Sequence, residues 1–168
     1  TSQYDFGVAK NSILISGNAF NDANGMTDAI VNGAAVWAPG GSVLYAYLVD
    51  GAGKVANKMV VNATTGYFTF PQADVNSNYT LKLSTTDVSQ FNDAPSNPNL
   101  PASWGCEGEN YGTNNAAGTG NEPGVPNSDV PVITGLSNVT GVKLGIQRHP
   151  DSDDKIMTIP QPALNQTI

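Results

Sequence analysis

The segment Ser42 to Asp50 (SVLYAYLVD) is apolar on both of its alternating faces. Val43, Tyr45, Tyr47 and Val49 fall on one side, and Leu44, Ala46 and Leu48 on the other. Successive side chains of a strand point to opposite faces of its sheet, so a strand with this pattern needs cover on both sides. A single sheet with one wet face does not provide that cover. The run is therefore expected to be a central strand in a layered fold. The turn Asp50-Gly51-Ala52-Gly53 follows it, and Lys54 to Asn62 is expected to return as its hairpin partner.

The remaining apolar signal comes in short pieces of the same kind. A first strand is expected from Ser12 to Phe20, followed by the polar loop Asn21-Asp22-Ala23-Asn24-Gly25-Met26-Thr27-Asp28. Ala29 to Val36 has room for a short helical turn, which Gly33 and Pro39 keep from growing. Tyr67-Phe68-Thr69-Phe70 reads as a strand ended by Pro71. Asn78 to Ser84 (NYTLKLS) alternates, with Tyr79, Leu81 and Leu83 facing in. Strand signal returns at Val130 to Ile133 and at Val139 to Gln147. Between Asp87 and Asp129 the pattern gives way to Pro, Asn and Gly, which reads as one long irregular loop. Loops beyond ~12–15 residues are uncommon in compact domains and often functional. About seven strands separated by turns predict an all-β fold, a β-sandwich. Residues 1–11 read as a lead-in, 12–147 as the sandwich, and 148–168 as an extension or linker, with Lys155 to Ile159 a last short strand or the start of that linker.

Charge narrows the list of partners. Charged residues make up only 12% of the chain and the net charge is −7. The seven basic residues are scattered, which excludes the clustered phosphate contacts of a nucleic-acid binder. No run of ~18 apolar residues exists to span a membrane. Cys106 is the single cysteine and His149 the single histidine, so neither an intrachain disulfide nor a histidine-rich zinc site is expected, and pairing of Cys106 with another chain stays open. No phosphate-binding loop, dinucleotide fingerprint or serine elbow appears. The chain is not expected to be an enzyme.

Three residue sets remain as candidate sites. Asp22, Asn24, Met26 and Asp28 alternate through a tight loop, where Gly25 permits a sharp bend. Three side-chain oxygens and the Met26 carbonyl suit calcium, which takes six to eight oxygens in flexible geometry; the competing reading is a turn whose side chains bond nearby backbone. Glu107, Glu109, Glu122 and Asp129 form an acidic set in the long loop. They read as solvated charge, or as a carboxylate pair for glycoside hydrolysis. Trp37, Trp104 and Tyr111, with Tyr45 and Tyr47, offer ring faces for a sugar; the competing reading buries Tyr45 and Tyr47 in the core and uses the tryptophans as plugs.

The run Ile15 to Gly25 (ISGNAFNDANG), the Asp50 to Gly53 turn, Thr65-Gly66-Tyr67-Phe68-Thr69-Phe70, Asn78 to Leu81 and the closing Val142 to Gln147 follow one another in an order that resembles serine-aspartate-repeat B-type and collagen-adhesin B-type modules. Similar modules occur in exported proteins of Bacteroidetes. The resemblance implies an immunoglobulin-like or prealbumin-like sandwich serving as a stalk or spacer in a cell-surface adhesin, often rigidified by calcium. It implies an extracellular or cell-surface location. The partners it implies are neighbouring modules of the same polypeptide, with a glycan or a host or cell-surface protein as a further partner. Two departures stand out. The first loop is shorter than that of the staphylococcal members and ends in Val31-Asn32-Gly33 rather than a Glu. Self-crosslinking members carry a Lys on the first strand, and this chain has none between Ser12 and Phe20, so no crosslink is expected. Carbohydrate binding through the loop aromatics is the alternative function.

Overall fold

The computed structural model describes residues 12–110, apart from 29, 37 and 63, and residues 126–149. Within them the chain forms β1 (Ser12–Asn21), β2 (Ala34–Ala35), a 3-10 turn at Pro39–Gly41, β3 (Tyr45–Val49), β4 (Val55–Val60), β5 (Tyr67–Asp74), β6 (Asn78–Ser84), β7 (Trp104–Asn110), β8 (Asp129–Ile133) and β9 (Val139–Arg148). Two sheets result. In the first, β5 and β2 flank β1 on one side, β9 pairs with β1 in parallel on the other, and β7 lies antiparallel beyond β9. The second is an antiparallel sheet ordered β4-β3-β6-β8. The fold is an all-β sandwich. Among the described residues no helix is long and apolar enough to cross a membrane.

Both sheets turn one apolar face inward. Ile13, Ile15, Phe68, Phe70, Val142 and Leu144 meet Ala46, Leu48, Leu81, Leu83, Val130 and Val132 in a single buried cluster. The Phe68 and Phe70 rings pack at 6.1 Å between centroids and 54° between planes, within the tilted geometries that aromatic pairs favour.

The central strand is covered on both sides, as its pattern predicts. Ala46 and Leu48 face the main core, while Tyr47, Val49 and Val55 form a second buried cluster on the outer face. Val88 and Ala94 pack over that cluster, so the polar segment after β6 acts as the outer cover. Tyr47 fastens it: its hydroxyl donates to the Thr86 carbonyl and accepts the Val88 N–H at 3.0 Å. Lys58 pairs with Asp87, and Lys54 with Asp93 at 2.7 Å. Backbone bonds from Val55 to Asn92 (3.0 Å) and from Phe91 to Val55 (2.8 Å) occupy the start of the outer edge of β4, an edge that would otherwise invite pairing with another chain.

Three expectations are corrected here. The span from Asp87 to Asp129 is not one irregular loop, because it contains β7. That strand, WGCEGEN, shows no apolar alternation. Its glycines lie under neighbouring side chains: a Cβ on Gly108 would sit 2.8 Å from the Met26 sulfur, and one on Gly105 2.7 Å from the His149 ring. Pro71 does not end its strand, since β5 runs on to Asp74. Proline lacks a ladder donor, yet β5 pairs only with β1 and Pro71 falls where the register shifts between Ile13 and Ile15, positions that tolerate it. Finally, the stretch from Ala29 to Val36 makes the two-residue strand β2 rather than a helical turn, because Phe20 and Asn21 offer it a free edge of β1. With β2 and β7 the described strands number nine. Lys155 to Ile159 lies outside the described residues.

Candidate functional site

The loop from Asp22 to Asn32 leaves the end of β1 and lies against β9 and β7. Asp22 is the first residue past the strand. Its N–H donates to the Ile146 carbonyl at 2.9 Å, and its own carbonyl accepts from Gly25 at 3.0 Å. Gly145 leaves the space beneath it, since a Cβ there would stand 3.4 Å from the Asp22 Cβ. Asp22 is consequently 0% exposed. Its Oδ2 accepts the Asn32 N–H at 3.4 Å, a long contact, and its Oδ1 lacks a partner within hydrogen-bond distance among the described residues, the Met26 and Asn24 amides acting on the carboxylate more weakly. The neighbouring Asn21 Oδ1 is buried without a donor as well.

A carboxylate placed this way resists ionisation. Burial pushes the Asp22 pKa up and the charge of Asp28 adds to the rise, while the amides of Asn32, Met26 and Asn24 act against it. Asp28 is the opposite case. It is exposed, its Oδ2 accepts the Asn32 side-chain amide at 3.0 Å and its Oδ1 the Ile30 N–H at 3.0 Å. These contacts, the Asn32 side chain first, hold its pKa below the usual value.

The rest of the loop is anchored from below. Met26 adopts a left-handed φ of 60° and lays its thioether across Gly108. The Gln147 side chain donates to the Ala23 carbonyl at 2.7 Å. Gln147 Oε1 and Glu107 Oε2 lie 3.0 and 3.4 Å from the place a Gly25 Cβ would take. Asp22, Asn24, Met26 and Asp28 thus share one loop seated on the first sheet. Glu107, Gln147 and Asn21 join its surroundings from positions that loop spacing does not reveal.

Asp22 carries a prediction with a definite sign. Its folded pKa is raised, so its contribution to stability is fully present below the unfolded carboxylate pKa and is lost as pH rises through the folded pKa. Asn cannot ionise. In EDTA, the melting temperature of Asp22→Asn minus that of the parent protein is therefore expected to increase from acid to neutral pH. A difference that stays flat or shrinks over that range would overturn the burial argument.

Among the described residues, the acidic candidates Glu107, Glu109 and Asp129 lie close enough to Cys106 for their charges to act on it, and each is engaged in a contact of its own. Glu109 is 2% exposed and its Oε1 accepts the N–H groups of Asn127, at 2.8 Å, and Ser128. It thereby fastens β7 to the entry of β8 at one open side of the sandwich. Asp129 pairs with Lys82 on the neighbouring strand, and Glu107 Oε1 lies 2.7 Å from His149 Nε2. Glu122 lies outside the described residues. Among the described residues no three His, Cys, Asp or Glu side chains converge as metal ligands. Cys106 is half-buried beside the Ser128 hydroxyl at 3.0 Å. Burial pushes its thiol pKa up, and the charges of Glu109, Asp129 and Glu107 add to this against the Ser128 hydrogen bond. A thiol held protonated is a poor nucleophile.

Of the aromatics, Trp104 is half-buried and packs with Leu100 against the main core, as a plug would. Tyr47 is buried, and Tyr45 lies under the Lys58 ammonium, 5.2 Å from its ring centroid. Trp37 and Tyr111 lie outside the described residues. No protein-family model matches the chain, and a search of curated proteins finds no similar sequence.

Proposed function

We propose that this chain is a non-catalytic stalk or spacer module of a larger exported cell-surface protein, of the serine-aspartate-repeat and collagen-adhesin B-type kind, with its first loop pinned by calcium. The observation that carries the calcium reading is Asp22, a fully buried carboxylate with one oxygen that has no hydrogen-bond partner among the described residues, at the foot of an oxygen-rich loop. A buried charge is costly unless something of opposite sign compensates it. Among the described residues, no lysine or arginine is among its partners. The side-chain oxygens of Asp22, Asn24 and Asp28 and the Met26 carbonyl are the ligands in this reading, and neutral oxygens and water complete a calcium shell readily. The sandwich supports the spacer reading through its continuous core and fastened sides, and its neighbours would be further modules of the same polypeptide. A glycan-binding role draws less support, since Trp104 leans on the core.

The test is thermal unfolding in EDTA and then in millimolar calcium. A ligand bound only to the folded state stabilises it by ~2.7 kcal/mol at a hundredfold excess over its dissociation constant. The expected result is a clear rise in melting temperature with calcium, absent in Asp22→Ala and in Asp28→Ala. An unchanged melting temperature would reduce the loop to an ordinary turn.

A further inference from the structure

The loop holds two Asn-Gly pairs, Asn24-Gly25 and Asn32-Gly33. An asparagine before glycine is the least shielded amide in a chain, because no side chain screens the glycine nitrogen from the Asn Cγ. The fold treats the two pairs differently. Asn32 is held at both ends: its Nδ2 donates to Asp28 Oδ2 at 3.0 Å and its N–H reaches Asp22 Oδ2 at 3.4 Å. Gly33 behind it is wedged on the Asn21 carbonyl, 2.2 Å from where a Cβ would stand, and leads directly into β2. Asn24 is exposed in a run of turns spanning 23–28. Its side-chain amide also hydrogen-bonds Asp28, with a weaker effect than that of Asn32, and the Gly25 nitrogen is held by a bond of 3.0 Å to the Asp22 carbonyl.

We propose that Asn24 is a spontaneous deamidation site that converts ahead of Asn32 in the folded protein. When the Asp22 carbonyl releases it, the Gly25 nitrogen attacks the Asn24 Cγ. A nitrogen–carbon bond forms, the bond to the side-chain nitrogen breaks, and ammonia leaves with the proton from the backbone. Water then opens the succinimide to aspartate or to the isoaspartyl chain. Either product places a new negative charge between Asp22 and Asp28. The modification stands without a bound ion. If the loop takes calcium as proposed above, the aspartate form supplies a third carboxylate, and a bound ion slows the reaction by fixing the turn.

The experiment ages the full chain in mildly alkaline buffer, folded and in urea, and maps the amide-to-acid mass change by fragmentation. The expected result is conversion several-fold faster at Asn24 than at Asn32 in the folded protein, with the two rates converging in urea. Asn24→Gln removes the fast component. Conversion first at Asn32, equal rates when folded, or an inert Asn24 while the unfolded chain reacts would each overturn the proposal. Repeating the series with calcium separates the two readings. Slower conversion at Asn24 ties the modification to an ion in the loop; an unchanged rate leaves the site standing and counts against the ion.

Discussion

Substituting alanine for Gly17 is expected to cost more stability than almost any other single methyl group added to this protein. Gly17 lies in β1 where its register against β9 shifts, between the pairs Ile15–Val139 and Gly17–Val142. A Cβ there would stand 2.2 Å from the Val142 carbonyl oxygen and 2.7 Å from the Phe68 ring. The oxygen belongs to the backbone of β9, which pairs with β1 at this position, and the ring belongs to the core, so neither gives way cheaply. Overpacking typically costs ~1–3 kcal/mol, and a clash with fixed backbone belongs at the top of that range or above it. Gly51 is the control. It has nothing within 4 Å of its Cβ position and no positive φ, so Gly51→Ala is expected to be neutral or to stabilise by ~0.4–1 kcal/mol through the unfolded chain. Urea midpoints of the two variants check the pair. A Gly17→Ala midpoint matching that of the control would mean that β1 and β9 separate there at little cost.

The second large effect is expected at Phe70. The ring is 0% exposed and packs at a tilt beside Phe68 in the main cluster. Removing it takes away buried area and leaves a cavity that the two sheets close only in part, for a loss of ~3–5 kcal/mol. Against a total of ~5–15 kcal/mol for a typical domain, Phe70→Ala is expected to sit near the threshold of folding. Phe91 provides the contrast, being 76% exposed; Phe91→Ala is expected to stay within ~0.5 kcal/mol of the parent. Denaturant unfolding of both variants measures the difference. Near-equal midpoints would show that the core is not organised around the Phe68–Phe70 pair.

The elements legible from sequence are those whose side chains face a core. The doubly apolar run at Ser42 to Asp50 and the alternation of Asn78 to Ser84 mark β3 and β6 because burial selects their residues. β7 escaped because its signal is in what packs on it. Gly105 and Gly108 are small so that His149 and Met26 can lie across them, and no period in WGCEGEN records that. Pro71 misled because its meaning depends on being at an edge. The same division holds in the loop. Asp22, Asn24, Met26 and Asp28 stand out by their spacing, but the burial of Asp22 comes from Gly145 and Ile146, more than a hundred residues along the chain. Which of two similar aspartates is desolvated is a property of the fold.

The parallel pairing of β1 and β9 has a consequence for a chain under tension. The six paired positions run from Ile15–Val139 to Asn21–Ile146. The polypeptide therefore enters β1 at one end of the sandwich and leaves β9 at the other. A pull on the two ends drags these neighbours past each other, loading their hydrogen bonds together as shear. A hairpin pulled the same way opens bond by bond, like a zipper. With β5 and β2 beyond β1 and β7 beyond β9, the sheared pair lies inside its sheet, so rupture requires the six positions to slip in one event.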